Sequence, residues 1–137
     1  MTYYKLEENK RRDLLQSITL DLMKNEDMLF AYLFGSFKDY DEKVGFRDID
    51  IAVYFSPEED PLSKSLSIGA DLSSKYHLPI DCVPINEASL YFRYRIFREG
   101  IELFCKDESQ RDEIIEKTVT EALDYMPLRA EAIRELV

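Results

Sequence analysis

The chain has 137 residues, of which 18 are Lys or Arg and 28 are Asp or Glu, and its formal net charge is −10. This length is typical of a single domain. The acidic balance without a clustered basic stripe argues against direct nucleic-acid binding, since clustered Lys and Arg hold phosphate backbones. No apolar run approaches the ~20 residues that span a bilayer, and residues 1–8 lack the features of a signal peptide. We therefore expect a cytoplasmic protein that does not engage a membrane.

The apolar pattern predicts helices that alternate with strands. The first helix is predicted over residues 6–24, with an apolar stripe formed by Leu14, Leu15, Ile18, Leu22 and Met23. The later predicted elements are strands over 28–34, 47–55, 78–85 and 101–106, and helices over 61–75, about 86–99 and 107–124. A short helix can also begin near Ser36. Such alternation predicts a small domain of the α/β (or α+β) class, in which helices pack on a mixed sheet.

The C-terminal segment departs from this pattern. Its helix is predicted to begin with a cap at Asp107 or Ser109, and Pro127 is predicted to interrupt it. The tail that follows either packs on the domain or offers a surface to a partner. We divide the chain into a core over 1–106, which includes the N-terminal helix, and a C-terminal helix and tail over 107–137 packed on the same single domain.

The single histidine and the two cysteines limit the available chemistry. His77 ends a predicted helix, where a cation is favoured, and no serine nucleophile motif accompanies it. Cys82 and Cys105 lie in predicted strands beside apolar residues and can be neighbours in the sheet. Without a cluster of histidines they indicate neither a zinc site nor a disulfide framework. We interpret them as buried free thiols.

Basic residues cluster in two places. Residues 10–12 are predicted to lie on the solvated face of the first helix. A second group, Arg93, Arg95 and Arg98, flanks an apolar stripe at helical spacing, formed by Leu90, Tyr91, Tyr94 and Phe97. For this second group a solvated or ion-paired role is the default interpretation, and contact with a nucleotide or a protein partner is the alternative.

A Gly-Ser pair and an Asp-x-Asp motif lie at the ends of two apolar strands. Gly35 and Ser36 follow the first strand, and Asp48 and Asp50 open the second. Because alternate residues of a strand share a face, the two carboxylates point the same way and repel each other unless a cation lies between them. A hard divalent cation with oxygen ligands is the usual solution. Backbone N–H groups of a glycine turn can hold phosphate, so the pattern favours phosphoryl or nucleotidyl transfer.

Other interpretations explain the same residues less well. A β-hairpin with a surface Asp-x-Asp and a Gly-Ser turn would need no function at all. A phosphatase of the haloacid dehalogenase type places its aspartates after an apolar strand, whereas here the strand follows them. Metal-dependent glycosyltransferases with this motif have far longer chains. The two motifs together, at the ends of two apolar strands, favour nucleotide transfer.

The motifs resemble those of a known family. With Gly-Ser-Phe at 35–37 and Asp-Ile-Asp-Ile-Ala-Val at 48–53, residues 10–106 resemble the minimal nucleotidyltransferase (MNT) family of the DNA polymerase-β-like superfamily. Members have a third carboxylate on a later strand, which Asp81 supplies here. The resemblance implies a polymerase-β-like nucleotidyltransferase fold. It also implies that Asp48, Asp50 and Asp81 are catalytic and bind Mg²⁺, with ATP as the substrate.

The resemblance assigns nucleotide binding to the Gly-Ser turn, with one departure. Gly35 and Ser36 would hold the phosphates. Many relatives continue with a small residue, an arginine and a glycine, whereas this chain has Lys-Asp-Tyr at 38–40. The basic residues that can replace the missing arginine are Lys38, Lys43 and Arg47, of which we assign Lys38 and Arg47 to the nucleotide site.

The resemblance also implies a partner. Small MNT proteins commonly act as antitoxins beside an HEPN-domain ribonuclease, either by masking this toxin or by attaching AMP to a tyrosine of its Arg-x₄-His-x-Tyr motif. This chain lacks that motif around its one histidine, so it is not the toxin. The intact carboxylates favour AMP transfer over masking. Transfer to a small acceptor such as an aminoglycoside is a further alternative, although those enzymes usually have an additional helical domain.

Overall fold

The computed structural model describes residues 2–41, 43–57 and 60–135, with side chains described as far as Asp124. The helices are α1 (Glu8–Met23), α2 (Pro61–Tyr76), α3 (Leu90–Glu99) and α4 (Glu108–Glu135), and a 3₁₀ turn spans Ile85–Glu87. The strands are β1 (Met28–Phe34), β2 (Ile49–Phe55), β3 (Ile80–Pro84) and β4 (Ile101–Cys105). The core elements α1 to α3 and β1 to β4 were all predicted, and their ends lie within a few residues of the predicted ones.

The four strands form one mixed sheet in the order β3-β2-β1-β4. β1 is antiparallel to β2 and to β4, whereas β2 is parallel to β3. Because β2 and β3 are parallel, the chain must return to the starting end of β2 before β3 begins. This crossover connection is provided by α2. The predicted α/β domain with a mixed sheet is confirmed.

The two faces of the sheet belong to different hydrophobic clusters. Ile51 and Val53 of β2 pack in the cluster that includes buried residues of α1 and α2. Ala52 belongs instead to the cluster that includes Ile96 of α3. Because side chains alternate between the faces of a strand, Asp50 lies on the same face as Ala52. The β2 carboxylate is therefore on the α3 side of the sheet.

The helices differ from the prediction in two details. Met23, assigned to the apolar stripe of α1, is 42% exposed, whereas Ile18 and Leu22 are fully buried. The predicted interruption at Pro127 is wrong, since α4 continues as one helix to Glu135. The start of α4 is as predicted, because Asp107 Oδ1 accepts a hydrogen bond of 3.0 Å from the Gln110 N–H. The side chains of the tail lie outside the described residues.

Among the described helices, none combines the length and apolar character needed to cross a membrane.

The two cysteines are not neighbours. Cys82 lies on β3 and Cys105 on β4, at opposite edges of the sheet, with β2 and β1 between them. Both are free thiols, as expected, but only Cys82 is buried, and Cys105 is half-buried. Burial raises the pKa of Cys82 to about 12. This thiol is therefore a core residue rather than a nucleophile.

Candidate functional site

The strand pairing of β2 brings the three predicted carboxylates together. In the parallel pair Asp50 is opposite Asp81 of β3, so both side chains lie on the α3 face. Asp48 is two residues before Asp50 and points to the same side. One carboxylate oxygen from each residue lies within 4.8 Å of the others. Asp48 and Asp50 are half-buried and Asp81 is exposed, so this carboxylate triad opens to solvent.

Gly35 fits closely against the triad. Its φ of +80° lies in the left-handed region, which favours glycine. A Cβ atom added there would lie 2.3 Å from Asp50 Oδ2, because Phe34 pairs directly with Asp50 across β1 and β2. The glycine therefore serves two purposes, to turn the chain after β1 and to leave room for the Asp50 carboxylate.

The turn after Gly35 is linked to the start of β2 through Ser36. The Ser36 hydroxyl lies 3.5 Å from the Asp48 carbonyl oxygen and accepts a 3.4 Å hydrogen bond from the Arg47 N–H. The predicted short helix at Ser36 is absent from this part of the described chain. Residues 36–39 form one turn instead, in which the Lys38 and Asp39 N–H groups both bond to the Gly35 carbonyl oxygen. Ser36 thus holds the glycine turn against the triad.

The two basic residues assigned to the nucleotide lie in different places. Lys38 Nζ donates a 2.7 Å hydrogen bond to the Glu99 carbonyl oxygen and forms a 3.3 Å ion pair with Asp39. It thereby joins the glycine turn to the end of α3. Arg47 is exposed just before β2, and its positive charge offsets part of the rise in the pKa of Asp50 that burial and the neighbouring carboxylates cause. Arg47 therefore acts on the triad by its charge, whereas Lys38 lies at the end of α3 beside the glycine turn.

The electrostatics of the triad fit a divalent cation. Burial raises the pKa of Asp50 to about 6, and the negative charges of Asp48 and Asp81 add to this effect. Two neighbouring carboxylates therefore make the ionised form of Asp50 unfavourable. A divalent cation among the three would replace this repulsion by attraction, and carboxylate oxygens are the ligands that hard cations such as Mg²⁺ prefer. The residues present thus suit such an ion.

The raised pKa of Asp50 predicts that the metal-free protein loses stability as the pH rises. Between the ordinary pKa of 3.8 and the folded-state pKa of about 6, the folded protein binds more protons than the unfolded chain, so the free energy of unfolding falls with increasing pH. Below this window Asp50 is protonated in both states, so its ionisation does not affect the free energy of unfolding. Above the window the free energy of unfolding is lower by on the order of 1 kcal/mol, a small amount because solvent screens a half-buried site.

This pH effect can be isolated by comparing two proteins. Thermal unfolding with a chelator present should show a decline across the window in the wild type that Asp50→Asn lacks. Added Mg²⁺ should restore the stability of the wild type at neutral pH. Identical pH profiles for the two proteins would contradict the assigned environment of Asp50.

A cleft of about 280 Å³ adjoins the triad. One wall comes from the glycine turn and includes Gly35, Lys38 and Asp39. The other comes from α3 and includes Phe92, Arg95 and Glu99. Gly35 borders both the cleft and the Asp50 carboxylate. Of the α3 residues in the cleft, the sequence interpretation considered Arg95 and missed Phe92 and Glu99. The spacing of Arg95 and Glu99 was a usable signal, because residues four apart on a helix are neighbours.

Arg11 of α1 supports the glycine turn, a role that the sequence interpretation did not assign. Its guanidinium donates hydrogen bonds of 2.9 and 3.2 Å to the carbonyl oxygens of Phe37 and Lys38. It also lies 5.0 Å from the centre of the Phe37 ring. The predicted solvated role of residues 10–12 is therefore wrong for Arg11. Its bonds hold two carbonyl groups of the turn in place.

Comparison with known proteins places the chain in a family. Residues 16–109 match the family described as "Polymerase beta, Nucleotidyltransferase". No curated protein matches the chain.

Solved structures of similar fold include toxin–antitoxin complexes. One contains a tri-AMPylated Shewanella oneidensis HEPN toxin in complex with an MNT antitoxin; the match has 20% identity and a TM-score of 0.67 and covers 91% of this chain and 98% of the other. A second is the toxin–antitoxin MntA-HepT, with 20% identity and a TM-score of 0.66; the match covers 90% of this chain and 97% of the other. A third is a toxin–antitoxin with AMP-PNP, with 22% identity and a TM-score of 0.66; the match covers 88% of this chain and 97% of the other.

At these identities the solved structures establish a shared fold. The family match is more specific, since it extends over more than half of the chain and includes the glycine turn and all three residues of the carboxylate triad. The chain therefore belongs to the polymerase β nucleotidyltransferase family.

Proposed function

We propose that this protein is an Mg²⁺-dependent nucleotidyltransferase that transfers AMP from ATP to a tyrosine hydroxyl of a partner HEPN toxin, and that it thereby acts as an antitoxin. The observation that supports this most is the convergence of Asp48, Asp50 and Asp81 within 4.8 Å beside the turn at Gly35. Nucleotidyl transfer requires carboxylates that bind cations, and it requires phosphate-binding groups such as backbone N–H groups beside them.

Each residue of the site has a role in the proposed reaction. Asp48, Asp50 and Asp81 would hold Mg²⁺, which neutralises phosphate charge when it is bound. The N–H groups of the turn at Gly35 and Ser36 would hold the phosphates, and Lys38 would add a positive charge. Most of the acceleration would come from this positioning and from electrostatics.

The reaction is an in-line displacement. The tyrosine oxygen attacks the α-phosphorus of ATP, and a new phosphorus–oxygen bond forms while the bond from the α-phosphorus to the bridging oxygen breaks. Pyrophosphate leaves, and the hydroxyl proton passes by way of Asp81 to water. The exposure of Asp81 suits this step, because both the acceptor and water can reach its carboxylate.

Two observations support an HEPN toxin as the acceptor. A solved structure of similar fold contains a tri-AMPylated HEPN toxin in complex with an MNT antitoxin, and others of similar fold are toxin–antitoxin complexes. The net charge of −10 also suits a partner with a basic RNA-binding face, since opposite charges speed and orient an encounter.

The proposal is tested by searching the neighbouring reading frames for an HEPN-domain protein and co-expressing any such protein with this one. We expect a stable complex, and after incubation with ATP and Mg²⁺ the intact mass of the partner should rise by one or more AMP units. Replacing the acceptor tyrosine of the partner by phenylalanine should prevent the mass increase.

Other outcomes favour other functions. Neutralisation of the toxin without any increase in its mass would indicate that this protein masks the toxin by binding and does not modify it. AMP transfer to an aminoglycoside but not to the protein would indicate a small-molecule acceptor. The absence of any HEPN-domain partner would overturn both antitoxin versions.

A further inference from the structure

The three arginines of α3 lie in different environments. Arg93 joins α3 to α4, since its guanidinium donates to Thr118 Oγ1 at 3.3 Å and to Glu121 Oε2 at 2.9 Å. Arg98 is exposed. Arg95 lines the cleft beside the carboxylate triad. The predicted ion-paired role thus applies to Arg93 and Arg95, and the solvated role to Arg98. Of the three, Arg95 alone lines the cleft.

The cleft continues the site along the path of a phosphate chain. Gly35 touches the triad on one side and borders the cleft on the other. A nucleotide whose α-phosphate lies at the triad can therefore extend its outer phosphates past Gly35 into the cleft. The charged side chains that line the cleft are Lys38 and Asp39 on one wall and Arg95 and Glu99 on the other. Lys38 and Arg95 are the cations among them.

We propose that Arg95 binds the outer phosphates of the nucleoside triphosphate, in place of the arginine missing from the glycine turn, and that Glu99 is its counter-ion in the free protein. This inference rests on the proposed function and deepens it. A guanidinium binds phosphate with two parallel hydrogen bonds, which makes arginine well suited to this position.

The Arg95–Glu99 pair can open at little cost. Arg95 Nε donates a 2.7 Å hydrogen bond to Glu99 Oε2, between residues one helical turn apart. The side chains of Arg95 and Glu99 are 65% and 36% exposed, and exposed pairs of this kind are weak. A triphosphate offers more negative charge than the carboxylate, so it should displace Glu99 from Arg95.

Glu99 also holds Lys38, but through a different atom. Lys38 Nζ bonds to the backbone carbonyl oxygen of Glu99, whereas Arg95 bonds to its side chain. A change of the Glu99 side chain therefore frees Arg95 and leaves the Lys38 contact in place. This separation allows the two cations to be tested independently.

Binding of ATP and of AMP, each with Mg²⁺ and without any acceptor, tests the role of Arg95. Arg95→Ala should weaken ATP binding by about tenfold or more and leave AMP binding unchanged, since AMP has no outer phosphates. The matched control Arg98→Ala, on the same helix but outside the cleft, should bind both nucleotides as the wild type does. Equal weakening of ATP and AMP would overturn the inference, and so would unchanged ATP binding.

A double-mutant cycle tests the role of Glu99. Glu99→Gln should strengthen ATP binding about threefold, because it removes the negative charge that competes with phosphate for Arg95, and this gain should vanish in the Arg95→Ala background. An equal gain in both backgrounds would overturn the counter-ion role, because Glu99 would then only repel phosphate at a distance.

These results distinguish the inference from the proposed function. A wild-type protein that binds no ATP would overturn both. A wild-type protein that binds ATP and transfers AMP, with an Arg95→Ala variant that binds ATP equally well, would overturn the role of Arg95 alone.

Discussion

Replacement of Asp50 by asparagine should abolish nucleotidyl transfer and leave the fold intact. We expect a loss of about 10³-fold, or about 4 kcal/mol of transition-state stabilisation, because a neutral amide is a poor substitute for a carboxylate that holds a divalent cation. Without metal, the Asp50→Asn variant should be at least as stable as the wild type at neutral pH. In the wild type the Asp50 carboxylate is charged at this pH, although burial and two neighbouring carboxylates oppose the charge.

Transfer and thermal unfolding should be measured on the same samples of Asp50→Asn and Asp48→Asn. Asp13→Asn, an exposed substitution on α1, is the matched control and should keep wild-type activity. Undiminished transfer by both site variants would reject the metal-binding roles. Loss of transfer together with loss of folding would show instead that the carboxylates are needed for structure.

Replacement of Gly35 by alanine should lower both stability and transfer. The φ of +80° costs a residue with a Cβ about 1–2 kcal/mol, and that Cβ would lie 2.3 Å from Asp50 Oδ2. The carboxylate must therefore move. A displacement of this kind should reduce transfer by about 10²-fold, since a shift on the order of 1 Å is enough to misplace reacting groups.

Gly45→Ala is the matched control for this change. Gly45 has a φ of +86°, and an added Cβ would lie 2.4 Å from the Tyr4 carbonyl oxygen; none of the three atoms nearest to it belongs to the triad. We expect a similar loss of stability, measured by chemical denaturation, and near-normal transfer per folded molecule. If both variants lost transfer equally, the effect of Gly35→Ala would have to be assigned to the fold rather than to Asp50.

Local patterns were sufficient to predict the elements and part of the site. Alternation along β2 places Asp48 and Asp50 on one face, because the direction of a side chain depends on its position within its own strand. The boundaries of β1 and α2 follow in the same way from apolar runs and their flanking residues. Asp81 was assigned from the family resemblance, and the parallel register that sets it opposite Asp50 agrees with that assignment.

Contacts between distant elements could not be predicted in this way. Sequence patterns were enough to predict the core helices and strands and the shared face of Asp48 and Asp50. Packing between elements, which these patterns do not specify, makes Gly35 necessary beside Asp50, turns Arg95 to the cleft and sets Arg11 against the glycine turn. It also separates the two cysteines to opposite edges of the sheet. The reason is physical: periodicity sets side-chain directions within one element, whereas strand order and helix packing decide which elements meet.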